Sequence, residues 1–96
     1  MAKTPENKVK EAIKEVFKEH DVLYFMPASY GFGKSGVSDF VACHKGVFIA
    51  VEAKAGKGKT TLLQDRFLEK VRAAGGHALI IREDNLSSLI GLLRAL

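Results

Sequence analysis

Two apolar segments, Val37–Cys43 and Val47–Lys54, lie mid-chain with only His44-Lys45-Gly46 between them. So short a connection, with a glycine in it, reads as an antiparallel hairpin. If the turn is the two residues Lys45-Gly46, His44 pairs with Val47, and the same register sets Asp39 directly opposite Glu52. Opposed residues share a face, with Cβ atoms ~4.5–5.5 Å apart. Lys54, two residues beyond Glu52, points to that face too. A four-residue loop preserves the arrangement, whereas a three-residue loop would put the two acids on opposite faces. Two explanations fit this spacing. Neighbouring carboxylates repel unless a cation lies between them, and oxygen donors without His or Cys suit magnesium or manganese. Alternatively, Glu52 and Lys54 form an ion pair on a solvent-facing strand.

The hairpin sits in an alternating α and β pattern. Thr4-Pro5 offers a hydroxyl cap and a proline in the first turn. Val9, Ala12, Ile13, Val16 and Phe17 then recur at helical spacing, predicting a helix from about residue 5 to 20. Val22–Met26 reads as a short strand closed by Pro27, and residues 28–36 as a Gly/Ser loop. After the hairpin, Ala55–Lys59 forms a Gly/Lys loop, and Thr61-Leu-Leu-Gln64 has the capping-box form that opens a helix to about Ala74, stopped by Gly75-Gly76. Ala78–Ile81 is a buried type of strand, and Leu86–Leu96 a final amphipathic helix. The strand–helix–strand unit across residues 47–81 is long enough for a right-handed crossover, which makes its two strands parallel. The expectation is an α/β fold with an α-β-β-β-α-β core, a mixed central sheet and a C-terminal helix.

Ninety-six residues allow one domain, residues 1–96. A single cysteine excludes a disulfide framework and any multi-cysteine zinc site, and the N-terminus lacks the apolar stretch of a signal peptide. The longest apolar run, Val47 to Val51, is too short to cross a bilayer. These features point to a reduced, cytoplasmic protein with no membrane partner. The net charge of +4 is unevenly placed: residues 1–21 balance five lysines against five acids, while residues 34–59 carry Lys34, Lys45, Lys54, Lys57 and Lys59 against Asp39 and Glu52. A polyanion-binding surface requires such a bias, and a merely solvated basic surface also satisfies it.

Two glycine motifs compete for attention. Gly31-Phe-Gly-Lys-Ser-Gly36 spells a dinucleotide-binding fingerprint, but it leads into a strand and not into the helix N-terminus that would receive a pyrophosphate. Gly58-Lys59-Thr60 follows a strand and precedes a helix, as a P-loop does, although Ala53 stands where the strict pattern has glycine. A P-loop nucleotide binder is therefore an alternative, one that leaves Asp39 and Glu52 unexplained.

Helix phase adds two anomalies. At about 100° per residue, Glu6 falls between Ile13 and Phe17 on the apolar face, while Glu11, Glu15 and Glu19 face away. Gln64 likewise lies in the arc of Phe67, Leu68 and Val71. A dipole-favoured acid in a first turn and a capping-box side chain account for each separately; a shared polar site accounts for both.

Gly36-Val-Ser-Asp39, Val51-Glu-Ala-Lys54 and Gln64 in the following helix resemble the PD-(D/E)xK nucleases, and within them the virus-type replication-repair nuclease domain, VRR-NUC. The similarity spans about residues 6–82, with Ser38 where proline is usual. It implies a restriction-endonuclease-like fold and a metal-dependent endonuclease acting on DNA in replication or repair, bacterial or phage-encoded. Asp39 and Glu52 would hold Mg2+, with Mn2+ able to substitute, together with the Ala53 carbonyl. Lys54 would orient or activate the attacking water, Glu6 would bind a second metal or a metal water, and Gln64 would position the lysine or a water. Lys34, Lys57 and Lys59 would contact the DNA backbone. Stand-alone members resemble Holliday-junction resolvases, so branched DNA and a homodimer are expected. Leu86, Leu89, Ile90, Leu92, Leu93 and Leu96 form the stripe best placed for a dimer contact. A non-catalytic nucleic-acid-binding module with the same fold is the other alternative. Cys43, His20, His44 and His77 form no triad and no transition-metal set.

Overall fold

The computed structural model describes residues 3–28 and 36–96. Its elements run α1 (Pro5–Glu19), β1 (Leu23–Phe25), β2 (Phe40–His44), β3 (Val47–Ala53), α2 (Leu62–Ala73), β4 (His77–Ile81) and α3 (Leu86–Ala95). The strands form one sheet in the order β1-β2-β3-β4. β1–β2 and β2–β3 pair antiparallel, and β3–β4 pair parallel across the α2 crossover. This is the expected α/β fold with a mixed sheet. No helix among the described residues is long and apolar enough to cross a membrane.

Local chemistry explains the boundaries. The Thr4 hydroxyl accepts the Asn7 N–H at 3.2 Å, and Pro5 begins α1 where no intrahelical donor is needed. The chain leaves α1 through Asp21 at φ 53, a conformation that Asp tolerates better than most residues, and the Val22 N–H closes onto the Phe17 carbonyl at 2.9 Å. Lys45 and Gly46 both have positive φ, as a two-residue type I′ turn requires, and His44 pairs with Val47. β2 begins at Phe40, three residues later than the apolar run suggests, because the segment before it bonds to side chains. The Ser38 hydroxyl donates to the Phe40 carbonyl at 2.8 Å, and the Asp39 N–H goes to a carboxylate instead of a strand partner.

The sheet is covered unequally. On one face Val9, Ile13, Val16 and Phe17 of α1 and Leu89 and Leu93 of α3 pack on Phe40, Ala42, Ile49, Val51 and Ile81. Phe17, Tyr24 and Phe40 cluster there with ring centroids 4.9–5.9 Å apart. Full burial of a side chain such as Phe17 is worth ~1.5–3 kcal/mol. The α3 stripe proposed for a dimer contact belongs to this core: Leu86, Ile90, Leu92 and Leu96 pack against it beside the buried Leu89 and Leu93. It is wide because α3 meets both the sheet and α1. On the other face, α2 covers only the β3–β4 half, through Leu68 and Val71 on Ala50 and Ala78. Leu23 and Phe25 of β1, and Phe48 at the turn end of β3, lie beyond its cover and stay 75%, 60% and 43% exposed.

Candidate active site

The site lies at the end of the hairpin away from its turn. The β2–β3 register runs from His44↔Val47 to Phe40↔Val51, so Asp39 and Glu52 occupy the next opposed positions. There the ladder changes character. The Asp39 N–H donates to Glu52 Oε1 at 2.9 Å, and the Ala53 N–H donates to Asp39 Oδ2 at 2.9 Å. Each carboxylate thus binds a backbone donor from the other's strand or its extension, which fixes the two side chains against each other.

Glu52 is 2% exposed on an inner strand, and it is the most buried charged group among the described residues. An isolated carboxylate there would be strongly disfavoured. It is compensated by three contacts: the Asp39 N–H, Gln64 Nε2 donating to Oε2 at 2.8 Å, and Lys54 Nζ 3.1 Å from Oε2. Burial and then the nearby Asp39 charge still push the Glu52 carboxyl above the ordinary 4.5, against the lowering influence of Lys54 and the Asp39 N–H. The Asp39 share of that push is a like-charge repulsion, which a cation between the two carboxylates would relieve. Lys54 is itself anchored, its backbone N–H donating to the Ile81 carbonyl at 3.0 Å.

Gln64 unites the two roles its sequence position suggested. Its Oε1 accepts the Thr61 N–H at 2.9 Å while its own N–H bonds Thr61 Oγ1, completing the capping box. Its Nε2 remains free for Glu52. The cap fixes the amide orientation, so the helix start delivers a donor to the carboxylate.

Glu6 and the loop lysines stand further out. Glu6 is paired through Lys10, whose Nζ lies 3.6 Å from Glu6 Oε2 and 3.6 Å from Asp39 Oδ1. Among the described residues, no three His, Cys, Asp or Glu side chains converge as a metal-binding group, so Glu6 does not join Asp39 and Glu52 directly. Ala53 ends β3, fully buried, with its N–H on Asp39. Lys57 and Lys59 are exposed on the loop after Lys54. Lys34 and the Gly31–Gly33 part of the glycine motif lie outside the described residues.

The sequence did not reveal Lys10 as a participant, nor the packing reason for Gly36. Lys10 follows Glu6 by one helical turn, a spacing that signals an ion pair but not contact with a distant strand. Gly36, at φ 86, packs so closely under α2 that an added Cβ would lie 2.5 Å from the Leu63 backbone, so it sets the approach of the segment carrying Asp39.

The donor set fits a divalent cation. Asp39 and Glu52 offer hard oxygens only, and hydrogen bonding leaves lone pairs on Asp39 Oδ1 and Oδ2 and on Glu52 Oε1. Magnesium is commonly held by one or two carboxylates, with water and phosphate oxygens completing its shell. The P-loop alternative fits less well. The Gly56 N–H, in the loop that would cradle phosphate, already binds Glu83 at 2.9 and 3.0 Å, and Arg82 reaches the Gly56 carbonyl at 3.1 Å. Helix α2 opens only at Leu62, with its own cap.

A solved structure described as a "VRR_NUC domain protein" superposes on this chain with a TM-score of 0.64, covering 90% of this chain and 84% of that one. The fold is that of a VRR-NUC domain. Sequence identity is 15%, so the shared property is the VRR-NUC architecture. No family model and no curated protein matches the chain.

Proposed function

We propose that this chain is a metal-dependent nuclease that hydrolyses phosphodiester bonds in DNA. The observation that carries the reading is the joining of Asp39, Glu52, Lys54 and Gln64 at the open end of the hairpin, in a VRR-NUC fold. Asp39 and Glu52 would hold Mg2+, or Mn2+ in its place, with the Ala53 carbonyl as a further donor, and Glu6 would serve a second metal or a water on the metal. When bound, the cation supplies hydroxide near neutral pH and offsets charge on the pentavalent phosphate. Lys54 orients the attacking water and stabilises the same charge. Gln64 keeps Glu52 in place. Lys57 and Lys59, with Lys34, hold the DNA backbone independently of sequence.

Within that activity, branched DNA is the proposed substrate and a homodimer the active form, two sites cutting opposed strands across a twofold axis. The part of that sheet face which α2 leaves uncovered, with Leu23, Phe25 and Phe48, is the proposed contact. Contiguous apolar exposure of this sort marks an interaction surface. The test is cleavage of end-labelled four-way junctions, flaps, nicked duplex and plain duplex, with Mg2+ or with EDTA, alongside light scattering of wild type and Phe25→Asp. Cleavage with Mg2+ alone, paired cuts in the junction, and a dimer that Phe25→Asp splits support the reading. DNA binding without cleavage under Mg2+ or Mn2+ would leave only a nucleic-acid-binding module.

A further inference from the structure

The site contains two lysines, and they are held differently. Lys54 Nζ sits 3.1 Å from Glu52, at hydrogen-bond distance, on a backbone tied to β4. Lys10 Nζ stands 3.6 Å from both Asp39 Oδ1 and Glu6 Oε2, beyond hydrogen-bond distance of either, at the end of a flexible four-carbon stem. Asp39 Oδ2 is occupied by the Ala53 N–H, whereas Oδ1 accepts no hydrogen bond among the described residues and faces only the Lys10 ammonium. Lys10 therefore lies against the oxygen most open to an incoming cation.

We infer that Lys10 is an internal counter-ion that a divalent metal displaces from Asp39, so that Lys10 sets the metal affinity of the site. This rests on the metal-dependent reading above. An ammonium and a divalent ion cannot both sit against one carboxylate oxygen without strong repulsion. Glu6, one helical turn before Lys10, gives the displaced ammonium a carboxylate to remain on, and it is the more exposed partner. Lys10 is a positioning residue, acting through Asp39 and not on substrate.

The test is calorimetric titration of the metal-stripped 96-residue chain with Mn2+, without DNA, for wild type, Lys10→Met and Lys10→Arg. Lys10→Met should bind Mn2+ about tenfold more tightly, as expected for loss of one competing unit charge. Lys10→Arg, which keeps the charge, should bind no more tightly than wild type. Equal or weaker binding by Lys10→Met overturns the inference while leaving the metal site standing. Absence of Mn2+ binding by all three proteins overturns the metal site and the inference together. Should Lys10→Met fail to fold, NMR of the Lys10 side-chain methylene next to the ammonium in wild type decides. Its signals should move on addition of Mg2+, and unmoved signals at saturating metal overturn the displacement.

Discussion

At its turn end, the β2–β3 hairpin is closed by backbone alone: Lys45 and Gly46 reverse the chain, and His44 faces Val47 in the ladder. At its open end, carboxylates take over as acceptors for backbone N–H groups, Glu52 for Asp39 and Asp39 for Ala53. The turn end needs only conformation, which two residues supply locally. The open end depends on carboxylates, whose hydrogen bonding varies with their ionisation. A rigid local turn thus sets the register that brings Glu52 of β3 opposite Asp39, just before β2.

The largest expected contrast is in cleavage. Asp39→Asn or Glu52→Gln should lower the rate at least ~10²-fold, the scale on which removing one preorganised electrostatic group acts. Val47→Ala at the turn end should leave it within a few-fold. DNA binding should persist in all three, since losing an acid does not weaken attraction to a polyanion. A comparable loss from Val47→Ala would mean that general destabilisation, not ligand chemistry, explains the effect.

Two glycines sharpen the comparison through stability. Gly36 and Gly46 both have positive φ, but an added Cβ meets the Leu63 backbone at Gly36 and nothing at Gly46. Denaturant unfolding should show Gly46→Ala costing ~1–2 kcal/mol from backbone conformation alone. Gly36→Ala should cost roughly 2–4 kcal/mol, with overpacking added, and should also impair cleavage because Asp39 follows three residues later. Equal costs would remove Gly36 from any role in placing the open end.

Removing positive charge at the two ends should affect DNA differently. Lys57→Ala with Lys59→Ala, in the loop leaving the open end, should weaken binding about tenfold and reduce the log–log salt slope by ~2, one phosphate contact per lysine. Lys45→Ala at the turn should alter the slope by less than half that. Equal effects per charge removed would indicate a diffuse positive field and no localised DNA path.

The smallest effect is a pH dependence of stability. The folded-state value of Glu52 lies above the unfolded 4.5, so the folded protein holds this proton more tightly. That contribution is fully present below about 4.5 and is lost as pH rises through the folded value. Metal-free wild type should therefore lose stability, relative to Glu52→Gln, as pH rises across the mildly acidic range in thermal melts. Parallel melting curves would contradict a Glu52 carboxyl raised by burial and by the Asp39 charge.

Much of this site was legible before any coordinates because its determinants are local. Lys45-Gly46 specified the turn, and the period of two then aligned Asp39, Glu52 and Lys54. The Thr61–Gln64 spacing specified a capping box, although only packing of α2 on β3 could reveal that the same amide also reaches Glu52. Lys10 was not legible, because its contact with Asp39 depends on how α1 lies over the end of β2, a placement that helix periodicity does not encode. The α3 stripe misled for a related reason: its breadth serves two neighbours within the chain, α1 and β4, and composition cannot separate that from a surface left for a partner. The late start of β2 followed from an acceptor on a side chain, Glu52, capturing the Asp39 N–H.

The central claim is that the open end of the hairpin is a metal centre. The most direct measurement is a crystal structure of the chain grown with Mn2+, with anomalous diffraction collected to locate the ion. The account predicts a peak contacted by oxygens of both Asp39 and Glu52, with the Lys10 ammonium withdrawn from Asp39. Crystals of cleavage-competent protein with no peak between those carboxylates, or with the ion held elsewhere, would contradict it.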